Sequence, residues 1–182
     1  MNDQPLNFSV VTLGYKSLQN IKNIYWDIEK STVKPSEVIV VINNYNQEEQ
    51  DKILDFVKYH PLTTQWVLCS HNIGHNYGIN LGLQLSQSEV VIAVNDDCRV
   101  SAETYENMSK PFYSDPTIGI TGPVQGSPGG FGDAVPSDCV LIQGFLIAFR
   151  RKMLKEVGYY DELPSPLGDE TELTVRAWSK GW

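Results

Sequence analysis

Apolar residues in the first half of the chain follow two alternating patterns. Four short runs of consecutive apolar and β-branched residues are typical of strands that are covered on both faces of a parallel sheet. These runs span residues 8–13, 37–42, 65–69 and 89–94. The stretches between them carry apolar residues at helical spacing, over residues 17–31, 47–59 and 74–85. This alternation predicts an α/β fold with a Rossmann-like, mostly parallel sheet and helices on both faces.

The second half of the chain is predicted to add one helix over 101–112, which begins with Ser101 as its cap, and two further strands. Those strands and the two last helices cover residues 118–121, 140–149, 151–157 and 171–180. Between the strands, residues 122–136 contain five glycines and three prolines. This composition favours a surface loop.

Composition and charge narrow the class of protein. A chain of 182 residues, 41% of them hydrophobic, is expected to fold as one compact domain over residues 1–182, either alone or within a longer protein. The net charge of −8 opposes broad binding to nucleic acid. A local basic patch at Arg150, Arg151 and Lys152 is an exception, for which a solvated turn before a helix is the simpler interpretation.

The three cysteines lie far apart, and the longest apolar stretches fall short of the roughly 20 residues that cross a bilayer. The sequence therefore predicts neither a disulfide framework nor a transmembrane segment. We expect a cytoplasmic protein, either free or peripheral to a membrane.

Three of the predicted strands have distinctive ends. They are Leu13-Gly14-Tyr15, Asn43-Asn44 and Asn95-Asp96-Asp97. Ligands of an open parallel sheet bind where the carboxyl ends of its strands converge. Two adjacent carboxylates at such an end repel each other unless a cation is near, and Mg²⁺ or Mn²⁺ prefers oxygen ligands together with substrate phosphates. The alternative is that Asp96 and Asp97 cap the following turn.

A second acidic segment lies near the end of the chain. Asp169, Glu170 and Glu172 open the last predicted helix, with Arg176 four residues after Glu172. A carboxylate here would serve as a catalytic base opposite the metal. Acidic residues also stabilise a helix N-terminus through the helix dipole, so the residues alone leave both interpretations open.

The ordered set of segments resembles the family 2 glycosyltransferases, which have the GT-A fold, along almost the whole chain. Residues 72–82 are similar to the family's paired N-x-G motifs, and 95–97 stand at its D-x-D motif. The other segments that carry the resemblance are 9–15, 143–151, 157–162 and 168–182.

The resemblance implies an inverting, hexosyltransferase-type enzyme that moves a sugar from a nucleotide sugar, with UDP favoured, to a hydroxyl of a glycan or another acceptor. It implies Mn²⁺ or Mg²⁺ at Asp97 with Asp96 as a second ligand, and Glu170 as the base with Asp169 beside it. The residues it implies in donor binding are Thr12, Leu13, Gly14, Tyr15, Asn43, Asn44, Gly74, Asn80, Asn95, Asp96 and Gly144.

Several positions depart from the family pattern. Ile42 stands where the family has the Asp that reads the nucleobase, so Asn43 or Asn44 would have to replace it. The other departures are Gly14, Lys16, Ile79, Asn95 and the order Asp169-Glu170. They leave two alternatives open: a glycosyltransferase-like module that binds without turnover, and a sugar nucleotidyltransferase, for which Gly14-Tyr15-Lys16 is a weak triphosphate loop.

Overall fold

The computed structural model describes residues 7–44, 46–123, 142–162 and 168–182. It contains one six-stranded sheet. The strands are β1 (Phe8–Gly14), β2 (Glu37–Ile42), β3 (Gln65–Leu68), β4 (Val90–Asn95), β5 (Ile120–Thr121) and β6 (Leu146–Arg150). Their spatial order is β3-β2-β1-β4-β6-β5. The pairs among the first four are parallel, and β6 runs antiparallel to both β4 and β5, so the prediction of a mostly parallel sheet is confirmed.

Helices cover both faces of the sheet, as predicted. They are α1 (Leu18–Lys30), α2 (Gln47–Tyr59), α3 (His75–Leu85), α4 (Thr104–Ser114), α5 (Arg151–Val157) and α6 (Asp169–Trp178). Helices α1, α2 and α4 pack on one face, and α3, α5 and α6 on the other. All seven residues of β1, including the polar Ser9 and Thr12, are buried between these layers, which explains the apolar residues at the other positions of the strand.

Two glycines let α3 lie very close to β1. A Cβ atom at Gly82 would overlap Val11 Cγ1, and one at Gly78 would overlap Leu13 Cδ1. Each glycine costs a helix about 1 kcal/mol relative to alanine, and here that cost is offset by contact between the helix backbone and the strand. The close contact brings the N-terminus of α3 to the carboxyl end of β1.

The start of α4 differs from the prediction. The helix begins at Thr104, and Ser101 does not cap it; the Ser101 hydroxyl pairs instead with Thr104 Oγ1 at 3.0 Å. The Val100 backbone N–H is held by the Asp27 carboxylate of α1 at 3.1 Å. Because α1 fixes this part of the chain, the helix can begin only after the turn that follows Val100.

The strand predicted over 140–149 begins at Leu146, because Gly144 and Phe145 form a turn directly before it, at the end of the sheet where β4 finishes. The glycine-rich loop predicted over 122–136 lies outside the described residues from 124 onwards. Within the described ranges, no helix has the length and the apolar character that a membrane span requires.

The interpretation of Arg150 as part of a solvated turn is wrong. Its side chain is buried, and it donates to the backbone oxygens of Phe112 at 2.6 Å and Asp115 at 2.9 Å. It also donates to the Glu89 carboxylate at 2.8 Å. The guanidinium has enough hydrogen-bond partners to remain charged inside the protein, so Arg150 holds β6 to the end of α4 and adds nothing to a surface patch.

The glycine contact in α3 predicts a large effect of a small substitution. Gly82→Val should lower the free energy of unfolding by about 3 kcal/mol, since the new side chain would overlap Val11 in a packed layer. Gln84→Val, on an exposed position of the same helix, should change it by no more than about 0.5 kcal/mol. Urea unfolding of both variants measures the difference, and equal losses would show that α3 has room at Gly82.

Candidate active site

A cavity of about 320 Å³ opens beside the carboxyl ends of β1, β2 and β4. This is the edge at which the sequence predicts ligand binding. The lining residues are Leu13, Tyr15, Lys16, Asn43, Asn72, Gly74, His75, Asn95, Asp96 and Asp97. Seven of these were predicted from the sequence as donor or metal residues, whereas Lys16, Asn72 and His75 were not assigned such roles.

Asp96 links the carboxyl ends of the neighbouring strands β1 and β4. Its side chain is buried, and its Oδ2 accepts the backbone N–H groups of Tyr15 at 3.1 Å and Lys16 at 2.9 Å. The carboxylate therefore holds the turn after β1, which is distant in sequence, and not the turn after its own strand. One Asp96 oxygen is engaged by the backbone, and this limits what the residue can offer to a ligand.

Asp97 has a different environment from its neighbour. About half of its side chain is exposed, and its Oδ2 accepts a hydrogen bond from the ammonium group of Lys16. This hydrogen bond raises the pKa of Lys16 above its ordinary value. The sequence predicts no donor or metal role for Lys16, which stands there as a departure from the family and as part of a weak triphosphate loop; a cation two residues after a strand that ends at the predicted site is the signal that indicates such a role.

The segment after Asp97 is held by an ion pair with α1. Arg99 donates to both oxygens of the buried Asp27, from Nε at 2.8 Å and from a terminal nitrogen at 2.6 Å. Cys98 stands between Asp97 and Arg99 in the chain. Burial raises the pKa of its thiol, and the charges of Asp97 and Asp27 raise it further. The paired Arg99 and Asp27 thus position the backbone on the far side of Asp97.

Asn43 organises the loop that precedes α3. Its side-chain nitrogen donates to Asn72 Oδ1 at 3.1 Å and to the Gly74 carbonyl at 3.0 Å, while its oxygen accepts the Ile73 N–H at 2.8 Å. Gly74 has φ +87°, a backbone conformation that glycine adopts without strain. Asn43 therefore places the first residues of α3 against the cavity.

Asn44 is also buried, but its hydrogen bonding is incomplete. Its Oδ1 accepts the Asn46 N–H at 2.8 Å. Its Nδ2 has no hydrogen-bond partner among the residues that the structure describes. The same is true of the Thr12 hydroxyl, another residue that the resemblance implies in donor binding.

Helix α3 also holds the segment that follows α5. Asn80 donates from Nδ2 to the Tyr160 carbonyl at 2.9 Å and accepts the Tyr160 N–H at 3.1 Å. Asn76, one turn earlier, donates to the Asp161 carbonyl at 2.8 Å. Asn80 is 3% exposed and does not line the cavity. Its predicted contact with the donor stays a prediction; its observed contacts fix the backbone around Tyr160.

Glu170 lies at the same sheet edge as the acidic strand end. Its side chain covers Gly144 so closely that a Cβ atom there would overlap the carboxylate. The residue after Gly144 is Phe145, whose carbonyl accepts the N–H of Asn95 at 2.9 Å. Packing of α6 on the sheet thus brings the predicted base beside the entrance of β6, next to the end of β4.

The three carboxylates that open α6 are not equivalent. Glu172 makes a two-point ion pair with Arg176, at 2.8 and 2.5 Å, and Arg176 also donates to the Val157 and Tyr159 carbonyls. Burial raises the pKa of Tyr160, and the charges of Glu170 and Asp169 raise it further. Glu172 is therefore a structural residue. Glu170 and Asp169 are the candidates for chemistry.

The carboxylate oxygens at the end of β4 suit one kind of metal site. Throughout the described part of the chain, no three His, Cys, Asp or Glu side chains converge as a preformed cage. Asp97 offers an exposed carboxylate, and Asp96 has a second oxygen beside the one that the backbone engages. Mg²⁺ and Mn²⁺ are commonly held by one or two carboxylates together with phosphate oxygens and water, and the residues present fit that arrangement.

Comparison with known proteins gives the family. A model of glycosyl transferase family 2 matches residues 9–165. The chain belongs to glycosyl transferase family 2. The match includes β1, the loop before α3 and the end of β4, and it stops before Asp169 and Glu170. No curated protein matches the chain.

Solved structures of glycosyltransferases share the fold of this family 2 domain. The mannosyltransferase PcManGT from Pyrobaculum calidifontis, in complex with GDP-Man and Mn²⁺, superposes with a TM-score of 0.78 at 19% identity, over 99% of this chain and 54% of that one. GalNAc-T7 with UDP, GalNAc and Mn²⁺ gives 0.81 at 18% identity, over 99% and 42%. TarS 1–349 from S. aureus with UDP-GlcNAc gives 0.69 at 20%, over 94% and 53%. The domain has the GT-A fold and spans about half the length of these structures.

Asp96 predicts a contrast between two substitutions. Asp96→Ala removes the acceptor for two backbone N–H groups and should lower the free energy of unfolding by about 1–3 kcal/mol. Asp96→Asn keeps a carbonyl oxygen in the same place and should lose less than half as much. Urea unfolding measures both, and equal losses in the two variants would contradict a hydrogen-bonding role.

Proposed function

We propose that this domain transfers a sugar, with inversion, from a nucleoside-diphosphate sugar to an acceptor hydroxyl with the help of a divalent metal. The observation that carries the proposal is the position of Glu170 against Gly144, which directly precedes Phe145, the residue whose carbonyl bonds Asn95 at the acidic end of β4. A carboxylate base and a metal-binding carboxylate at one sheet edge are the two groups that such a displacement needs. Membership of family 2 favours this function over a sugar nucleotidyltransferase.

The metal would be Mn²⁺ or Mg²⁺, with Asp97 as the principal ligand and Asp96 as a secondary one. Bound there, it would supply positive charge to the departing diphosphate. The mannosyltransferase from P. calidifontis and GalNAc-T7 were both solved with Mn²⁺, which supports the choice of ion. The larger exposure of Asp97 supports its place as first ligand.

The cavity has the features of a nucleotide site. Tyr15 presents a partly exposed ring that is able to stack on a nucleobase, and Leu13 adds an apolar wall. The N-terminus of α3, at Gly74 and His75, borders the cavity, where the positive end of the helix dipole favours phosphate. These features support binding of the nucleoside diphosphate between Tyr15 and α3.

Asn43 lines the cavity and Asn44 does not, but hydrogen bonding favours Asn44 as the residue that reads the nucleobase. The amide of Asn43 is already committed to the loop before α3. Asn44 Nδ2 has no partner in the described residues, and a buried donor of this kind suits a carbonyl oxygen of a base. UDP is the favoured donor nucleotide on the family resemblance, and uracil offers such carbonyls.

In the proposed reaction, the acceptor oxygen forms a bond to the anomeric carbon as the bond from that carbon to the diphosphate breaks. The acceptor proton passes to the Glu170 carboxylate, and the negative charge leaves on the diphosphate. Asp169 is next to this base in the first turn of α6. The acceptor is a glycan or another hydroxyl compound. A cytoplasmic location, free or peripheral to a membrane, remains an expectation from the sequence.

Calorimetry with UDP and GDP, with and without Mn²⁺, tests the donor site. We expect binding to at least one of them that strengthens at least tenfold with Mn²⁺. Asp97→Asn should abolish the strengthening, because the amide lacks the charge that a divalent cation requires. Asp55→Asn, on the exposed face of α2, is the control and should behave like the wild type. Absence of metal-dependent binding to either nucleotide would refute the proposal.

Donor hydrolysis, with water as the acceptor, tests the base. Glu170→Gln should slow it about 100-fold or more while leaving nucleotide binding unchanged. Glu172→Gln is the control, because its carboxylate is paired with Arg176, and Asp169→Asn shows which of the two neighbours acts. Nucleotide binding with no hydrolysis by the wild type would indicate instead a module that binds without turnover.

A further inference from the structure

The Lys16 side chain pairs with the carboxylate of Asp97, which the metal would use. Its ammonium donates to Asp97 Oδ2, and about half of each side chain is exposed, at 54% for Lys16 and 47% for Asp97. The Lys16 backbone N–H, by contrast, is fixed by the buried carboxylate of Asp96 at 2.9 Å. The residue is therefore anchored at its main chain, while its four-carbon stem is able to move at the mouth of the cavity.

We propose that Lys16 is a displaceable counter-ion for Asp97, which keeps the free protein from holding a divalent metal and so makes the metal and the diphosphate bind as one unit. The proposal builds on the proposed function. It concerns a residue at which this chain departs from its family.

The local charges support this coupling. In the free protein, the positive charge of Lys16 balances the negative charge of Asp97. A divalent ion that entered alone would have to displace the ammonium from Asp97, and Lys16 would then lose the carboxylate that it contacts while lying close to a second cation. A nucleotide sugar that entered alone would bring about two negative charges to an already acidic protein. The positive charges of the metal and Lys16 balance the negative charges of the Asp97 carboxylate and the diphosphate only when all four groups are present.

Other groups at this edge do not change that balance. The Asp96 carboxylate keeps one oxygen on two backbone N–H groups, and its negative charge is present in the free and in the metal-bound protein alike. Arg99 is occupied by Asp27 on the opposite side of the segment. Lys16 is thus the cation that contacts Asp97 directly, and the diphosphate is the anion to which it would move when the metal arrives.

Titration of Mn²⁺ into the nucleotide-free protein, followed by the electron paramagnetic resonance signal of free Mn²⁺, tests the first half of the proposal. Lys16→Met should bind Mn²⁺ about 2- to 5-fold more tightly than the wild type, which is the range expected for removal of an exposed ion pair. Lys16→Arg should stay close to the wild type. Lys22→Met, on α1, makes the same change in net charge away from Asp97 and should also stay close to it.

The same titration at saturating nucleoside diphosphate tests the coupling. The nucleotide should tighten Mn²⁺ binding by a larger factor in the wild type than in Lys16→Met, and the difference should be at least the 2- to 5-fold of the first titration. Thermal melting of each variant confirms that the exposed substitution leaves the fold intact.

Three results would overturn the proposal. They are unchanged or weaker Mn²⁺ binding by nucleotide-free Lys16→Met, no Mn²⁺ binding by that variant at all, and an equal gain in Lys22→Met, which would assign the effect to net charge. The first titration uses no nucleotide. Its failure is therefore distinct from failure of the proposed function, which would show as absent nucleotide binding.

Discussion

The hydrogen bonds of the Asp96 carboxylate join the two strands on which the site is built. β1 and β4 are neighbours in the sheet, and within the described residues the ladder of β1 ends at Gly14, before the turn that follows it. By accepting two backbone N–H groups from this turn, Asp96 sets the direction in which Tyr15 and Lys16 leave the sheet. A buried carboxylate with two charge-assisted hydrogen bonds is stable in this position, and it leaves Asp97 to face the cavity.

A second set of contacts depends on how close α3 approaches the sheet. The glycines at 78 and 82 allow the helix to lie against β1, and Asn76 and Asn80 of the helix reach the segment after α5. Asn43, directly after β2, holds the loop before the helix. Polar side chains in these positions are buried, so each must be satisfied, and each is satisfied by backbone groups of a different segment. The asparagines of the family motif thus serve the assembly of the site.

Three departures from the family pattern, at Ile42, Ile79 and Lys16, bear on the proposed donor site. Ile42 is buried within β2, which moves the question of base recognition to Asn44. Ile79 packs in the core beneath α3 and supplies no charge for a diphosphate. Lys16 brings a cation back to the same edge from the other side of the cavity, bound to Asp97. The positive charge that one position lacks is present at another, where it pairs with Asp97, the proposed metal ligand.

Local patterns in the sequence determined most of the fold. Runs of apolar residues and helical spacing place β2, α2 and α5 within the bounds that the structure shows, because these elements depend on burial of residues that are near one another in the chain. The acidic end of β4 could likewise be assigned to a ligand site, since strand ends converge in any parallel sheet.

Tertiary structure decided the rest. The start of α4, the burial of Arg150, the different roles of Asp96 and Asp97, and the contact of Glu170 with Gly144 all depend on segments that are far apart in the sequence. An aspartate or glutamate reads the same in the sequence whether its carboxylate accepts backbone hydrogen bonds, pairs with an ammonium or binds a metal. Only the packing of helices on the sheet selects its partner, and it is this selection that separates a structural aspartate from a candidate ligand.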